Sequence, residues 1–151
     1  MTRPKWVAIH TEKGRIILID TSIEERTYYK GLGRFAPRDI QFSDLPKKIL
    51  INERNFLTTE IGLRELQIGL KRRAQIIQPK DAGFLIQMLG LTGTETVLEA
   101  GTGSGSLTIS LMATMSKSGK LITIESRNEH AEVANNNIMI AKECWTDTPT
   151  V

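Results

Sequence analysis

The sequence predicts an α/β protein in which a small, mostly β N-terminal domain precedes the first βαβα part of a Rossmann-like sheet. Two observations predict this class. Short apolar runs separated by turn residues fill the first part of the chain, and a strand, a glycine-rich turn, a helix and a second strand follow one another after residue 90. The predicted divisions are a β-rich domain over 1–57, connecting helices over 58–90 and a partial Rossmann-like domain over 91–151.

The composition is that of a soluble globular protein. The 151 residues are 40% hydrophobic and 25% charged, and they include one cysteine. Because no apolar run approaches the roughly 20 residues of a spanning helix, no membrane segment is expected. Cys144 has no second cysteine to pair with, which agrees with a reducing compartment, and we expect a cytoplasmic protein.

Charge is distributed unevenly along the chain. The stretch 1–90 holds 16 Lys and Arg against 10 Asp and Glu, whereas 91–151 holds 4 against 7. A basic half next to an acidic half favours a module that faces a polyanion, of which nucleic acid is the commonest. Lysines that only keep the surface solvated would give the same pattern.

The first elements are predicted from turn residues between apolar runs. Trp6–Ile9 and Arg15–Ile19 flank a loop that ends in Gly14, which indicates a hairpin. A turn-rich stretch, Lys30–Arg38, separates this hairpin from the apolar run Ile49–Ile51.

Two helices are predicted next. Leucines spaced by three and four residues indicate one amphipathic helix over Gly62–Arg73, whose last residues Lys71–Arg73 would complement the helix dipole or simply form a solvated end. Pro79 suits a first helical position and Gly90 a termination, which predicts a second helix between them.

The last part of the chain reads as a βαβ unit. A strand at Thr96–Leu98 runs into Glu99 and the glycine-rich turn, and a helix begins near Leu107. A second strand, Lys120–Ile124, ends at Glu125. A further helix is predicted over Glu129–Lys142.

The glycine turn predicts a nucleotide-like ligand. Glycines between a strand and a helix let backbone approach a ligand closely, and Glu125, 20 residues after Gly105, can accept hydrogen bonds from both ribose hydroxyls. Ser106 stands where a dinucleotide fingerprint requires glycine, and no Lys-Ser or Lys-Thr pair follows, so nicotinamide cofactors and a P-loop are disfavoured. Glu99 would repel a pyrophosphate and suits a cationic ligand, which points to S-adenosylmethionine. A tight turn that merely joins strand to helix is the alternative.

These residues carry a family resemblance. The runs Gln75–Gly83 and Val97–Thr108, followed by Glu125, resemble the tRNA (adenine-N1) methyltransferases that modify the T-loop adenosine, in their archaeal and bacterial form. The resemblance implies a class I S-adenosylmethionine-dependent enzyme that transfers methyl to N1 of adenosine in tRNA. It further implies tRNA as partner, a homo-tetramer, no metal and a cytoplasmic location.

The resemblance also implies which residues hold the cofactor. Ser104 to Leu107 would line its methionine and ribose side, and Glu125 would hold the ribose hydroxyls. His130 falls where the family contacts the adenine, although a solvent-facing place in the first turn of a helix is the alternative for it. The candidate cofactor-binding residues are Glu99, Gly101, Gly103, Ser104, Gly105, Ser106, Leu107, Glu125 and His130.

No catalytic residue is assigned within the chain. The family's acidic residue that positions the target adenine is expected beyond residue 151, and Asp147 follows a helix rather than a strand, so it is not chosen. Because two predicted strands make an incomplete sheet and Glu143–Val151 resembles nothing in the family, a truncated form with doubtful activity of its own is expected. The alternatives are another class I methyltransferase, such as a protein isoaspartyl methyltransferase, and a non-catalytic tRNA-binding subunit.

Overall fold

The computed structural model describes residues 3–42 and 44–151, which fall into two compact units, 1–69 and 70–151. Within those described ranges, no helix is both long and apolar enough to cross a membrane. The finer division at residues 57 and 90 stays a prediction.

In the described residues, eight strands, four α-helices and one short 3-10 helix (Pro37–Asp39) follow one another along the chain. The strands are β1 (Trp6–His10), β2 (Ile16–Asp20), β3 (Thr27–Tyr29), β4 (Gly33–Phe35), β5 (Lys47–Ile51), β6 (Arg54–Thr59), β7 (Thr96–Ala100) and β8 (Lys120–Ile124). The helices are α1 (Leu63–Gly69), α2 (Pro79–Met88), α3 (Ser106–Thr114) and α4 (Asn128–Cys144).

A four-stranded antiparallel sheet of order β2-β1-β6-β5 forms the first unit. The predicted hairpin is confirmed: β1 pairs with β2, with Ala8 opposite Leu18, and Gly14 takes the left-handed conformation (φ 72°) in the connecting loop. Alternate side chains of the strands enter one apolar core, in which each member is less than a tenth exposed: Val7, Ile9, Ile19, Leu32, Phe35, Phe42, Ile49, Ile51 and Phe56.

Two predictions about the first unit were incomplete or wrong. The turn-rich stretch Lys30–Arg38 contains strand β4, which pairs with β3 as a second small hairpin. Helix α1 ends at Gly69, so the prediction of one helix through Arg73 was wrong. The residues after Gly69 leave the helix because other hydrogen-bond partners, described below, take their backbone groups.

The second unit contains the predicted βαβ unit. Strands β7 and β8 are parallel, with Leu98 beside Ile122, and α3 connects them. Helix α2 begins at Pro79, as predicted, and Gly90 follows it with φ 63°. The tail after α4 returns to the far edge of the pair, where Thr150 forms a parallel bridge with Lys120.

Candidate functional site

Three glycines shape the turn between β7 and α3. Gly101, Gly103 and Gly105 have φ angles of 90°, 59° and 81°, which side-chain-bearing residues rarely adopt. The positive φ angles at these three positions explain why each of them is a glycine. Gly105 is also the N-cap of α3.

The backbone amides of this turn are already bonded to the end of β8. The amides of Gly101 and Thr102 donate to the carbonyl oxygen of Ile124, at 2.8 and 3.1 Å. The amide of Gly103 donates to Oε2 of Glu125 at 2.8 Å. In a phosphate-binding loop such amides point at the ligand. Here three consecutive amides are unavailable to a phosphate.

Glu125 is held as an ionised acceptor. Its Oε1 accepts the backbone N–H of Arg127 at 3.0 Å, and the Arg127 guanidinium lies 3.7 Å from the same oxygen. The amide of Arg127, and after it that of Gly103, hold the pKa of the Glu125 carboxyl below its ordinary value. Because each carboxylate oxygen has two acceptor sites and each receives one backbone donor, both oxygens can accept a further hydrogen bond.

Glu99 lies at the end of β7 but is buried. Its Oε2 accepts the hydroxyls of Thr108 and Thr123 at 2.6 and 2.7 Å, and the residue is 8% exposed. Burial raises the pKa of the Glu99 carboxyl, against the opposing effect of the two hydroxyls. This carboxyl is therefore fixed between β7, α3 and β8.

Residues 71–77, which we call the wall segment, contribute one wall of the site through their positions 73–77. Ser104 Oγ accepts the amides of Arg73 and Ala74 at 3.1 and 3.2 Å, and Ser106 Oγ donates to the carbonyl oxygen of Ile77 at 3.0 Å. Side chains next to the glycine turn thus replace the helical hydrogen bonds that the wall segment lacks.

Two adjoining cavities lie between the wall segment and the strand ends. The larger, of about 720 Å³, is lined by Gly101, Gly103, Glu125 and His130 together with wall residues 73–75. The smaller, of about 100 Å³, is lined by these predicted residues: Glu99, Gly101, Gly103, Ser104, Ser106 and Leu107. The structure thus brings together every candidate except Gly105, which caps α3 beneath the turn.

His130 presents an unused polar atom. Its Nδ1 is buried and has no hydrogen-bond partner in the described part of the chain, although the ring lines the larger cavity. A buried polar atom without a partner is unfavourable, and a ligand with a suitable group would satisfy it.

Sequence reasoning missed two kinds of residue. Arg73 and Gln75 line the larger cavity from a segment that was predicted to be helical or left without a role. Asn137, 1% exposed in the middle of α4, bonds the wall segment and was not singled out. Across residues 3–42 and 44–151, no group of three or more His, Cys, Asp or Glu is placed to hold a metal ion.

Two solved methyltransferase structures share this fold. A SAM-dependent O-methyltransferase from Thermotoga maritima superposes with a TM-score of 0.74 at 23% identity, over 100% of this chain and 57% of that one. The tRNA (m1A58) methyltransferase TrmI from Aquifex aeolicus superposes with a TM-score of 0.69 at 23% identity, over 99% and 57%. The fold is therefore shared with these two methyltransferase structures, and its N-terminal part is rich in β-strands.

The family follows from sequence comparison. The model of the family described as tRNA methyltransferase complex GCD14 subunit matches residues 63–143, more than half of the chain. The chain belongs to this family, as the resemblance predicted.

Named relatives agree with this assignment. The tRNA (adenine(57)-N(1)/adenine(58)-N(1))-methyltransferase TrmI of Methanocaldococcus jannaschii is 34% identical over 128 residues, which are 85% of this chain and 44% of that protein. The tRNA (adenine(58)-N(1))-methyltransferase TrmI of Thermus thermophilus is 38% identical over 76 residues, 50% of this chain and 30% of that protein. The chain thus spans less than half the length of these relatives.

Proposed function

We propose that the second unit binds S-adenosylmethionine in the two adjoining cavities, as the cofactor-binding part of a tRNA (adenine-N1)-methyltransferase. The observation that carries the proposal is the fixed Glu125 carboxylate, which faces the larger cavity beside a turn whose amides are already bonded. A site that offers hydrogen-bond acceptors and has no free turn amides at 101–103 suits a phosphate-free adenosine derivative.

The residues present fit this cofactor. Both Glu125 oxygens retain an acceptor site, which matches the two hydroxyls of a ribose. His130 Nδ1 would gain a partner from the adenosine end, and Ser106 and Leu107 line the smaller cavity, where the methionine end would lie. Glu99 adds negative charge nearby when it is ionised. The individual contacts of Glu99, Gly101, Gly103, Ser104, Ser106, Leu107, Glu125 and His130 are part of this proposal, whereas Gly105 lines neither cavity and its contact stays a prediction from the sequence.

The chemistry proposed for the whole protein is methyl transfer to N1 of an adenosine in tRNA. Bound S-adenosylmethionine supplies a methyl group that is activated by its sulfonium, so the protein's part is to bind and orient. N1 lies on the Watson–Crick edge of adenine, and the base must leave its stack before it can react. The family assignment and the names of the relatives support this substrate. A homo-tetramer remains a prediction from the resemblance, and a cytoplasmic location remains a prediction from the sequence.

Calorimetry tests the cofactor proposal. Titration of the chain with S-adenosylhomocysteine is expected to release or absorb the heat of binding. Titrations with ATP and with NAD are expected to show no binding. NMR chemical-shift changes at the amides of Gly101, Gly103 and Glu125 would locate weak binding. Glu125→Ala is expected to lower the affinity by about 1–3 kcal/mol, because it removes a charged acceptor of two hydrogen bonds.

Glu132→Ala is the matched control. Glu132 is an exposed carboxylate on α4, and it does not line either cavity. Its replacement is expected to leave the affinity unchanged. Equal affinity of the Glu125→Ala and Glu132→Ala variants, or preferential binding of NAD, would contradict the proposal.

A further inference from the structure

Three consecutive cations, Lys71, Arg72 and Arg73, lie outside any helix. All three are exposed, and α1 has already ended at Gly69. Of the two roles predicted for them, the one that complements the dipole at the end of a helix therefore does not apply, whereas their exposure to solvent agrees with the other. We call these three residues the cationic triplet.

The buried side-chain amide of Asn137 holds the backbone of Lys71, the first residue of the triplet. Asn137 donates from Nδ2 to the carbonyl oxygen of Lys71 at 2.9 Å and accepts the Lys71 amide at 3.3 Å on Oδ1. The same Nδ2 donates to the carbonyl oxygen of Ser104 at 2.8 Å. A side chain that is 1% exposed thus links the triplet backbone to the glycine turn.

A buried hydroxyl holds the last residue of the triplet. Ser104, 2% exposed, accepts the amides of Arg73 and Ala74 on one oxygen. With Asn137 at one end and Ser104 at the other, the backbone of the triplet has a fixed course. The contacts of Asn137 and Ser104 engage only backbone atoms of the triplet, whose three residues are exposed.

The last residue of the triplet lines the larger cavity, and the other two precede it directly in the chain. Arg73 lines that cavity together with Glu125, and its guanidinium forms an ion pair with Glu129 at the start of α4. Both members of that pair are more than half exposed, so the pair contributes little and can rearrange. Lys71 has no carboxylate partner among the residues that the structure describes.

The triplet is a local concentration of positive charge in a unit whose formal net charge is zero. Residues 70–151 contain 8 Lys and Arg and 8 Asp and Glu, and three of the eight cations stand at positions 71–73. Such a concentration attracts a polyanion to this one place rather than to the unit as a whole.

We propose that the cationic triplet binds the phosphate backbone of the RNA substrate at the mouth of the cofactor cavity. The identity of the RNA rests on the proposed function, whereas the phosphate site rests on the triplet itself. Phosphate contacts position a nucleic acid without reading its sequence. A clamped backbone presents these contacts at a fixed distance from the cavity, which is what delivery of one base to a methyl donor requires.

Charge substitution tests the proposal directly. Binding of the full chain to an unmodified tRNA transcript would be followed by fluorescence anisotropy at several salt concentrations. The double variant Lys71→Gln/Arg72→Gln is expected to weaken binding about tenfold at low salt and to reduce the slope of log Kd against log salt by about 2. Both side chains are exposed, so the variant is expected to fold.

The matched control removes two cations elsewhere in the same unit. Lys117 and Lys120 are exposed and lie outside both cavities. The double variant Lys117→Gln/Lys120→Gln is expected to keep the affinity within about twofold and the slope within about 0.5. Equal effects of the two double variants would overturn the proposal, since binding would then follow net charge alone.

The clamp itself can be tested without changing any charge. Asn137→Ala is expected to speed tryptic cleavage after residues 71–73 and to weaken tRNA binding several-fold, while Asn136→Ala, at an exposed neighbour, does neither. Faster cleavage with unchanged tRNA affinity would overturn the role of the clamp. Trypsin sites elsewhere, such as Lys13, report any general unfolding.

Cofactor binding separates this proposal from the previous one. The Lys71→Gln/Arg72→Gln variant is expected to bind S-adenosylhomocysteine as the parent chain does. If the parent chain binds S-adenosylhomocysteine and the triplet does not affect tRNA binding, the triplet proposal alone fails. If triplet-dependent tRNA binding occurs without S-adenosylhomocysteine binding, the cofactor proposal alone fails.

Discussion

The two units of this protein keep their polar groups in different places. In the first unit the described strands pair as antiparallel ladders around one apolar core. In the second unit polar side chains enter the interior. Of the ten buried polar or charged residues in the described part of the chain, seven lie there: Glu99, Thr102, Ser104, Ser106, Thr108, Ser110 and Asn137.

The difference shows what each unit depends on. In the first unit backbone ladders and apolar volume maintain order, and the buried hydroxyl of Thr58 has no hydrogen-bond partner among the described residues. In the second unit Ser104 and Asn137 each make several bonds to backbone atoms. Loss of volume should therefore damage the first unit most, and loss of hydrogen bonds or a change of charge should damage the second.

The largest effect is expected from a cavity in the first unit. Phe56 is 2% exposed in the core, so Phe56→Ala is expected to destabilise that unit by about 3–5 kcal/mol. The chain has two tryptophans, Trp6 in the first unit and Trp145 in the second. Urea unfolding in a Trp145→Phe background, followed by Trp6 fluorescence, measures the change.

Tyr28→Ala serves as the control, since Tyr28 is 64% exposed and its loss should change stability by about 0.5 kcal/mol or less. If the two aromatic substitutions cost the same, apolar volume does not determine the stability of this unit, and the contrast between the units breaks down.

A smaller, pH-dependent effect is expected at Glu99. Burial raises the pKa of this carboxyl above its ordinary value of 4.5, so the folded protein holds its proton more tightly than the unfolded chain. The contribution of the protonated Glu99 to the free energy of unfolding is complete below pH 4.5, and it is lost as pH rises through the folded-state pKa of this carboxyl. Glu99→Gln removes this loss, because the neutral amide oxygen can still accept the hydroxyls of Thr108 and Thr123.

Melting temperatures between pH 4 and pH 8 measure the Glu99 effect. The advantage of the Glu99→Gln variant over the parent is expected to grow with pH, whereas an exposed carboxyl substituted in the same way, Glu132→Gln, gives no such trend. A variant that loses stability relative to the parent as pH rises would show that the buried carboxylate is stabilising when charged.

The smallest effect concerns reactivity rather than stability. Burial, and secondarily the charge of Glu143, raise the pKa of the Cys144 thiol to about 11. Because the thiolate is the reactive form, Ellman's reagent at pH 8 is expected to react at least about tenfold more slowly with the native chain than with the chain in urea. As the protein has one cysteine, the signal needs no assignment. Equal rates would show that the end of α4 is open to solvent.

Local chemistry made much of the fold predictable. Gly14 and Gly90 have positive φ where the sequence placed a hairpin loop and a helix end, and Pro79 begins α2. The turn between β7 and α3 was predictable because its glycines and the following Glu125 stand at informative spacings. The small β3–β4 hairpin was not, because three-residue strands leave too short a pattern.

What sequence reasoning missed depends on contacts between distant residues. The bonds from Ser104 to Ala74 and from Asn137 to Lys71 span 30 and 66 residues, and no local pattern encodes them. They also explain why the helix predicted through Arg73 stops at Gly69. One signal did exist: Asn137 is a polar residue on the buried stripe of α4 that Ala134, Ile138 and Ala141 define.

The bonding of the glycine turn to Ile124 and Glu125 has a consequence for how tightly a ligand can be held. Flexible loops that close around a ligand lose conformational entropy on binding, and this loss subtracts from affinity. Glycine loses more conformational entropy on folding than any other residue, and here that loss occurs when the protein folds rather than when a ligand binds. A nucleoside that enters this corner therefore meets a receptor that is ordered in advance, and the cost of ordering this turn is not subtracted from its affinity.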